Sequence, residues 1–552
     1  MAARSLDSLP PEILVHIFAY LRTGILLDPK DRHTETAGLD VGGISISRTL
    51  RCCAQLAMYH TMYYISNGCP SVAASNIQAI LRSRLVSVPR ELVLVANSDG
   101  GPAEMLSGLQ YQGFFTRAWR TVHTIRIVRG EDEGYWDGSY DSRALTELNS
   151  ALVEHLPNAK HVYNEMYNES AHGRPLLAEL IDAKRDVLQS VDFTYTCVEN
   201  MHTRWFGPSL KSLKLALYCC TLSDFAPRIF APTIVSLDLR SVHHDDVWSL
   251  FYTTAAEHRC RHTALEFSRL ESLTMMLAED HQQPHTQNQP TTPDLMFPKL
   301  RRLELSTYPH NADAYLPLFP LDRIRELKLW VWTEDMPVVD VKRMHSLESL
   351  TLELCELPDQ FLLDSLSSSY LHPLFSTSSR LRCLHLNRPA SHSSGSLFGA
   401  GGQDIRTFTL PDKIALTHLQ RLVVSVVLER GALPRLLPRL PQLRQLELLV
   451  GICRPANILE PEYQLCNSPP FYKPLSRSVT YLRTAGSHSE EQGPFAACEQ
   501  AWLVARLPSL VSWVPDSNPH ALVLECLSSI ASSDNFAHHT SHLLPILALY
   551  SS

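Results

Sequence analysis

Residues 347–357 read LESLTLELCEL, in which apolar side chains follow the order L-x-x-L-x-L before a further cysteine and leucine. Leucines alternate with polar residues there, which is the period-two pattern of a strand with one buried face. A single copy is typical of any amphipathic strand. This chain repeats it many times: clear copies start at Leu210, Ile234, Leu270, Leu300, Ile324, Leu347, Leu381, Leu419 and Leu443, and weaker copies at Val122, Leu188, Ile405 and Val479.

The spacing of the copies indicates a repeat array. Most neighbouring clear copies start 22 to 38 residues apart, and spacings of 23 or 24 recur. With insertions allowed, this resembles leucine-rich repeats, whose period is about 20 to 29 residues. One repeat cannot bury its leucines alone, so stacked repeats share a core. The resemblance implies an α/β fold, a curved solenoid with a parallel sheet on its concave side and helices or loops outside.

The array defines the predicted domains. We expect degenerate repeats over residues 66–515, with polar insertions at 279–294 and 390–403 whose composition buries too little apolar area to offset ordering. Apolar stretches beyond Pro515 predict a helical cap over 516–552. A separate helical domain is predicted over 5–65.

That N-terminal domain begins with SLDSLPPEILVHIFAYL at residues 5–21. Its adjacent prolines suit the first turn of a helix, and the apolar residues after them recur at offsets of three and four on one face. Such a stripe needs cover, either from the rest of the chain or from a partner. A second helical pattern is predicted over 49–65.

Together the two helical patterns resemble an F-box, whose opening is LPxEIL followed by an apolar pair and a leucine. In that family these positions dock on the Skp adaptor of cullin-based ubiquitin ligases. The resemblance therefore implies adaptor binding by Leu9, Pro10, Ile13, Leu14, Ile17, Phe18 and Leu21. The segment between the patterns is longer and more polar than usual, and the combination is similar to the large sets of F-box proteins in filamentous fungi.

Composition excludes several function classes. The formal net charge of -8 argues against nucleic acid as a partner. No apolar run approaches the ~18 residues of a membrane span, and no apolar signal-peptide core follows the first methionine, so we expect no membrane partner and a cytoplasmic or nuclear protein. Thirteen scattered cysteines fit neither a disulfide framework nor a metal knuckle.

Catalytic signals are equally scarce. The chain has no GxSxG, GxxxxGK[ST] or HExxH motif, and its histidines lack the paired spacing of zinc ligands. We therefore expect no catalytic residues, no metal and no cofactor.

The resemblances imply a substrate receptor of a Skp/cullin/F-box ubiquitin ligase, with the repeats holding an unidentified protein target. In each copy, alternation points the third, fifth and seventh residues outward, and this rule selects a candidate target-binding set: Arg240, Glu304, Lys328, Trp330, Glu353 and His385. Two alternatives are a repeat scaffold whose N-terminal helix is only a cap, and an enzyme with an unrecognised site.

Overall fold

The computed structural model describes residues 59–66, 74–83, 85–96, 101–129, 142–165, 176–197, 206–216, 230–242, 252–254, 262–264, 266–277, 296–306, 316, 319–331, 343–354, 380–387, 416–425, 432–448, 474–484, 500–501, 503–515, 521–532 and 541–550. The chain divides into two compact units, Met1–Leu270 and Glu271–Ser552. The seven residues predicted to bind the adaptor lie outside the described residues.

Unit 1 alternates strands with short helices. Its elements are β1 Thr61–Ile65, β2 Ala74–Ser75, α1 Ile77–Ser83, β3 Glu91–Ala96, α2 Pro102–Tyr111, a 3-10 turn Phe114–Thr116, β4 Thr124–Arg129, α3 Ser142–His155, β5 His161–Asn164, α4 Ala178–Lys184, β6 Ser190–Cys197, β7 Ser212–Ala216, β8 Ser236–Val242, β9 Tyr252–Thr254 and β10 His262–Ala264. Strands β1 and β3 to β8 pair in parallel in that order. Strand β2 pairs antiparallel with β1, and β9 pairs antiparallel with β10.

Unit 2 is a longer run of parallel strands followed by helices. Its elements are β11 Ser272–Leu277, β12 Arg302–Ser306, β13 Glu326–Val331, β14 Ser349–Leu354, β15 Cys383–Asn387, β16 Arg421–Val424, α5 Ala432–Leu436, a 3-10 helix Leu437–Arg439, β17 Gln445–Leu448, β18 Tyr481–Thr484, β19 Ser512–Pro515, α6 Ala521–Ser532 and α7 Leu543–Tyr550. Strands β11 to β19 pair in parallel in chain order.

The nine clear copies of the motif are all strands, as predicted, and so are the weaker copies at Val122, Leu188 and Val479. The copy at Ile405 lies outside the described residues. In each unit the copies form neighbouring parallel strands, and the unit has an α/β arrangement. In the described part of the chain, no helix combines the length and the apolar character needed to cross a bilayer.

Rows of apolar side chains run across the strands of unit 2. Each strand begins two residues after the first apolar position of its copy, and the fourth and sixth positions point into the core. One buried row, in register across adjacent strands, comprises Leu303, Leu327, Leu350, Leu384, Leu422, Leu446, Leu482 and Trp513. At about 1.5–3 kcal/mol for each buried side chain, these rows supply much of the favourable term in folding.

A further buried row precedes the strands and was not predicted. It is formed by the apolar residue three positions before the first apolar position of a copy, and includes Phe297, Leu321, Met344, Leu416, Leu440 and Leu507 in unit 2. The rings of Phe297 and Phe319 lie 5.6 Å apart. The carbonyl of Phe297 accepts a hydrogen bond from the Leu300 amide at 3.3 Å, and the same turn recurs at Leu347, Leu419, Leu443 and Leu510. The turn therefore fixes how the chain enters each strand.

The predicted helix over 49–65 is wrong at its end. Only Tyr59 and His60 are helical among its described residues, and Thr61–Ile65 is strand β1. The sequence TMYYI suits a strand because Met62 and Tyr64 alternate into the core, where both are buried, and β3 supplies a parallel partner. Gly108 on α2 makes room for this strand, because a Cβ there would overlap the Tyr64 hydroxyl.

Replacing Leu352 with Ala should lower the free energy of unfolding by about 2–5 kcal/mol, because this fully buried side chain fills a row that neighbouring strands share. Denaturant unfolding measures the change. Leu544→Ala on α7 is the matched control: its side chain is 65% exposed, so its effect should stay within about 0.5 kcal/mol. Equal losses in the two variants would contradict the shared core.

Candidate functional site

The outward residues of unit 2 form a polar face, which comprises Thr274, Glu304, Lys328, Trp330, Thr351, Glu353, His385 and Asn387 on β11 to β15. Parallel strands in register place them in rows: Glu304 stands beside Lys328, and Trp330 stands beside Glu353. These side chains are partly buried, whereas the leucines between them are buried in the core. The alternation rule correctly assigned each of them to this face.

Lys328 is the centre of a charge cluster on this face. Its Nζ lies 3.0 Å from Glu304 Oε1 and 3.5 Å from Glu353 Oε1, on the strands to either side. The same Nζ lies 4.8 Å from the centroid of the Trp330 ring, two residues along β13. The one ammonium group therefore pairs with two carboxylates and makes a cation–π contact with the Trp330 ring.

Hydrogen bonds extend the cluster on both sides. Trp330 Nε1 donates to Glu304 Oε1 at 2.9 Å, and Thr274 Oγ1 donates to Glu304 Oε2 at 3.4 Å. Asn387 Nδ2 donates to Glu353 Oε1 at 3.2 Å. The structure thus brings four of the predicted target-binding residues, Glu304, Lys328, Trp330 and Glu353, into one network that spans neighbouring strands.

His385 lies on β15, in register with Thr351 and Val423. Burial and the nearby Arg421 lower the pKa of its imidazole, and the carboxylates of Glu447 and Glu353 oppose them. The neutral ring is therefore the favoured form in the folded chain.

Arg240, the remaining predicted residue, belongs to unit 1. Its guanidinium lies 3.4 Å from Asp238 Oδ1, two residues earlier on β8. The polar residues of unit 1 are also paired across strands: Lys214 contacts Asp192 at 3.3 Å, and Arg126 contacts Glu165 at 2.8 Å and lies 4.7 Å from the centre of the Tyr163 ring.

A second ion-pair cluster of unit 2 was missed. Glu447 on β17 is buried, and its Oε1 accepts from Arg421 Nη2 at 2.7 Å and from Arg421 Nε at 3.0 Å. Arg483 on β18 approaches the other carboxylate oxygen at 4.0 Å. The signal was present in the sequence, because the alternation rule applied to the copies at Leu419, Leu443 and Val479 selects all three residues.

Cys383 lies on β15, two residues before His385. Cys383 is a free cysteine, and burial raises the pKa of its thiol, which disfavours the nucleophilic thiolate. Within the described ranges, no three His, Cys, Asp or Glu side chains are grouped as metal ligands would be.

Comparison of the chain with protein-family models finds no match, and comparison with curated proteins finds none either. The functional argument therefore rests on the residues and their geometry.

Replacing His385 with Gln should flatten the pH dependence of stability below neutrality. The folded pKa of His385 lies below its ordinary value of 6.5, so the unfolded chain binds the proton more readily. The stabilising contribution is present above 6.5 and is lost as the pH falls through 6.5 towards the folded pKa. Denaturant unfolding at pH 7.5 and 5.5 should therefore show a smaller drop in the variant, by a fraction of the about 1.4 kcal/mol that one pKa unit represents.

The exposed His345 provides the control for this measurement. His345→Gln should follow the parent chain at both pH values. A His385→Gln profile identical to the parent profile would show that the imidazole is equally easy to protonate in both states.

Proposed function

We propose that this chain is the substrate-receptor subunit of a Skp/cullin/F-box ubiquitin ligase. The N-terminal F-box-like stretch would bind the Skp adaptor and through it the cullin scaffold, and the repeats would bind the protein to be ubiquitinated. The receptor performs no bond chemistry in this scheme. Its contribution is proximity, because it raises the effective concentration of a target lysine near the ubiquitin-charged enzyme.

The observation that carries the proposal is the polar face of unit 2, in a chain whose first residues resemble an F-box. Parallel register holds mixed charges and one tryptophan at fixed spacings on a sheet that is built from repeats. Tryptophan is enriched among interface hot spots, and mixed charges suit a protein surface better than a polyphosphate. A repeat scaffold without a link to ubiquitin would offer the same face, so adaptor binding separates the two functions.

Changing Ile13 and Phe18 together to Asp should abolish recovery of the Skp adaptor in an affinity purification read by mass spectrometry. Both residues belong to the apolar stripe, and a buried carboxylate without a partner is costly. Thr34→Asp with Thr36→Asp adds the same charge outside the motif and should leave adaptor recovery intact. Normal recovery by the Ile13/Phe18 variant would rule out the F-box assignment and leave the scaffold function.

Changing Lys328 and Trp330 together to Ala should remove the target protein from the same purification and leave the adaptor in place. The double change removes the cation and the ring that hold the cluster between β12 and β14 together. Tyr111→Ala with Arg143→Ala is a matched control, since it removes an exposed aromatic and an exposed cation from unit 1. If the target is still recovered with the Lys328/Trp330 variant, the polar face is not the binding surface.

A further inference from the structure

The charged side chains of the polar face are paired with opposite charges. At the strand starts of unit 2, by contrast, positively charged side chains outnumber negatively charged ones. Two residues flank the first apolar position of each copy, one before it and one after it. Over β12 to β19 these positions hold a set of exposed cations, here named the basic rim: Lys299, Arg301, Arg323, Arg325, Arg380, Arg382 and Arg444. The acidic residue among the same positions is Glu348, and Glu271 occupies the equivalent position before β11, where its carbonyl accepts a hydrogen bond from the Arg301 amide. A local excess of positive charge therefore lies on a chain whose net charge is negative.

Backbone hydrogen bonds align the residues that follow the first apolar position. The Arg325 amide donates to the Arg301 carbonyl at 2.8 Å, and the Glu348 amide donates to the Arg325 carbonyl at 2.8 Å. The series continues through Arg382, Gln420, Arg444, Thr480 and Val511 at 2.7 to 2.9 Å. Arg301, Arg325, Arg382 and Arg444 are thus held in one row along the edge of the sheet, with about 4.8 Å between neighbouring strands. Lys299, Arg323 and Arg380 lie two residues before the first three of them.

Most cations of the basic rim are not neutralised by an ion pair with a described residue. Glu348 is shared, since it lies 3.6 Å from Arg325 and 3.9 Å from Arg382. Arg323 reaches back to the Pro298 carbonyl at 3.3 Å, so its side chain leans along the rim. Arg301, Arg380 and Arg444 form no ion pair with any residue that the structure describes.

We propose that the basic rim binds an extended acidic segment of a partner protein, rich in Asp and Glu. Guanidinium groups pair with carboxylates through two parallel hydrogen bonds, which suits a row of arginines to a row of carboxylates. From β12 to β17 the row covers about 24 Å, which an extended peptide spans with about seven residues. The peptide would lie across the strands, beside the polar face.

A protein segment fits this rim better than a nucleic acid does. Single strands bind through aromatic side chains on which the bases stack, and among the described residues the flanking positions of β12 to β19 hold no Phe, Tyr or Trp. The net charge of -8 further disfavours a long polyphosphate.

The test uses the full chain and a fluorescein-labelled peptide of twelve glutamates, with binding followed by fluorescence anisotropy at low and physiological salt. The peptide should bind, and salt should weaken the binding because the contacts are exposed. Changing Arg301, Arg380 and Arg444 together to Glu should weaken it at least tenfold. The same three positions changed to Lys keep the charge but lose the paired hydrogen bonds, so this variant should bind more weakly than the parent and more tightly than the Glu variant, which separates charge from folding.

The control is the triple change of Arg82, Arg143 and Arg185 to Glu, which alters the net charge equally at exposed sites on or near the helices of unit 1. It should bind the peptide as the parent does. Equal binding by the rim variant and the parent would overturn the proposal, and so would equal weakening by the control. Tighter binding of a single-stranded oligothymidylate of equal charge, lost in the rim variant, would assign the rim to nucleic acid instead. The peptide is measured on the isolated chain, so the result does not depend on adaptor binding.

Discussion

Burial of leucine rows across the strands is the interaction on which the rest of each unit depends. A leucine at the fourth or sixth position of a copy stands in register with its equivalents on the strands to either side, as Leu350 does with Leu327 and Leu384. No single repeat can remove these side chains from water, so each strand is stable only where its neighbours are present. The positions of the polar face and of the basic rim follow from that burial, because alternation leaves the residues between the leucines outside.

The polar face and the basic rim of unit 2 differ in how far their charges are paired within the chain. On the polar face, Lys328 pairs with Glu304 and Glu353 on the neighbouring strands, and in the second cluster Glu447 pairs with Arg421; such partly buried pairs mainly fix the local arrangement of the side chains. A partner that binds there must contact side chains that are already paired. Along the rim, several arginines keep their charge for a partner, so long-range attraction is expected to act there first.

Much of this arrangement could be predicted from the sequence, because the leucine spacing alone specifies where strands begin. The strands β1, β3, β5 and β19 were not predicted, since other buried residues replace the leucines: Tyr64, Pro89, Ala159 and Trp513 occupy equivalent places. Alternation identified Lys328, Trp330, Glu304 and Glu353 as outward residues but not which of them pair. The strand beside β14 is β15, although the two are well separated along the chain, and a linear sequence does not show that pairing. The basic rim was missed for the same reason, because its arginines look like scattered surface charge until the register aligns them.

At the strand starts, backbone hydrogen bonds fix the spacing of the row independently of the side chains that it carries. Each carbonyl in the row accepts the next two amides along the sheet, as the Arg325 carbonyl does from Glu348 and Ser349, and none of these bonds involves a side chain. Gln420 and Thr480 occupy the same row with neutral side chains, at the distances that the arginines keep. Substitutions can therefore change the charge pattern one strand at a time while the backbone spacing stays constant. A chain of this design can change the length and register of the acidic sequence that it reads by single substitutions, without a new fold.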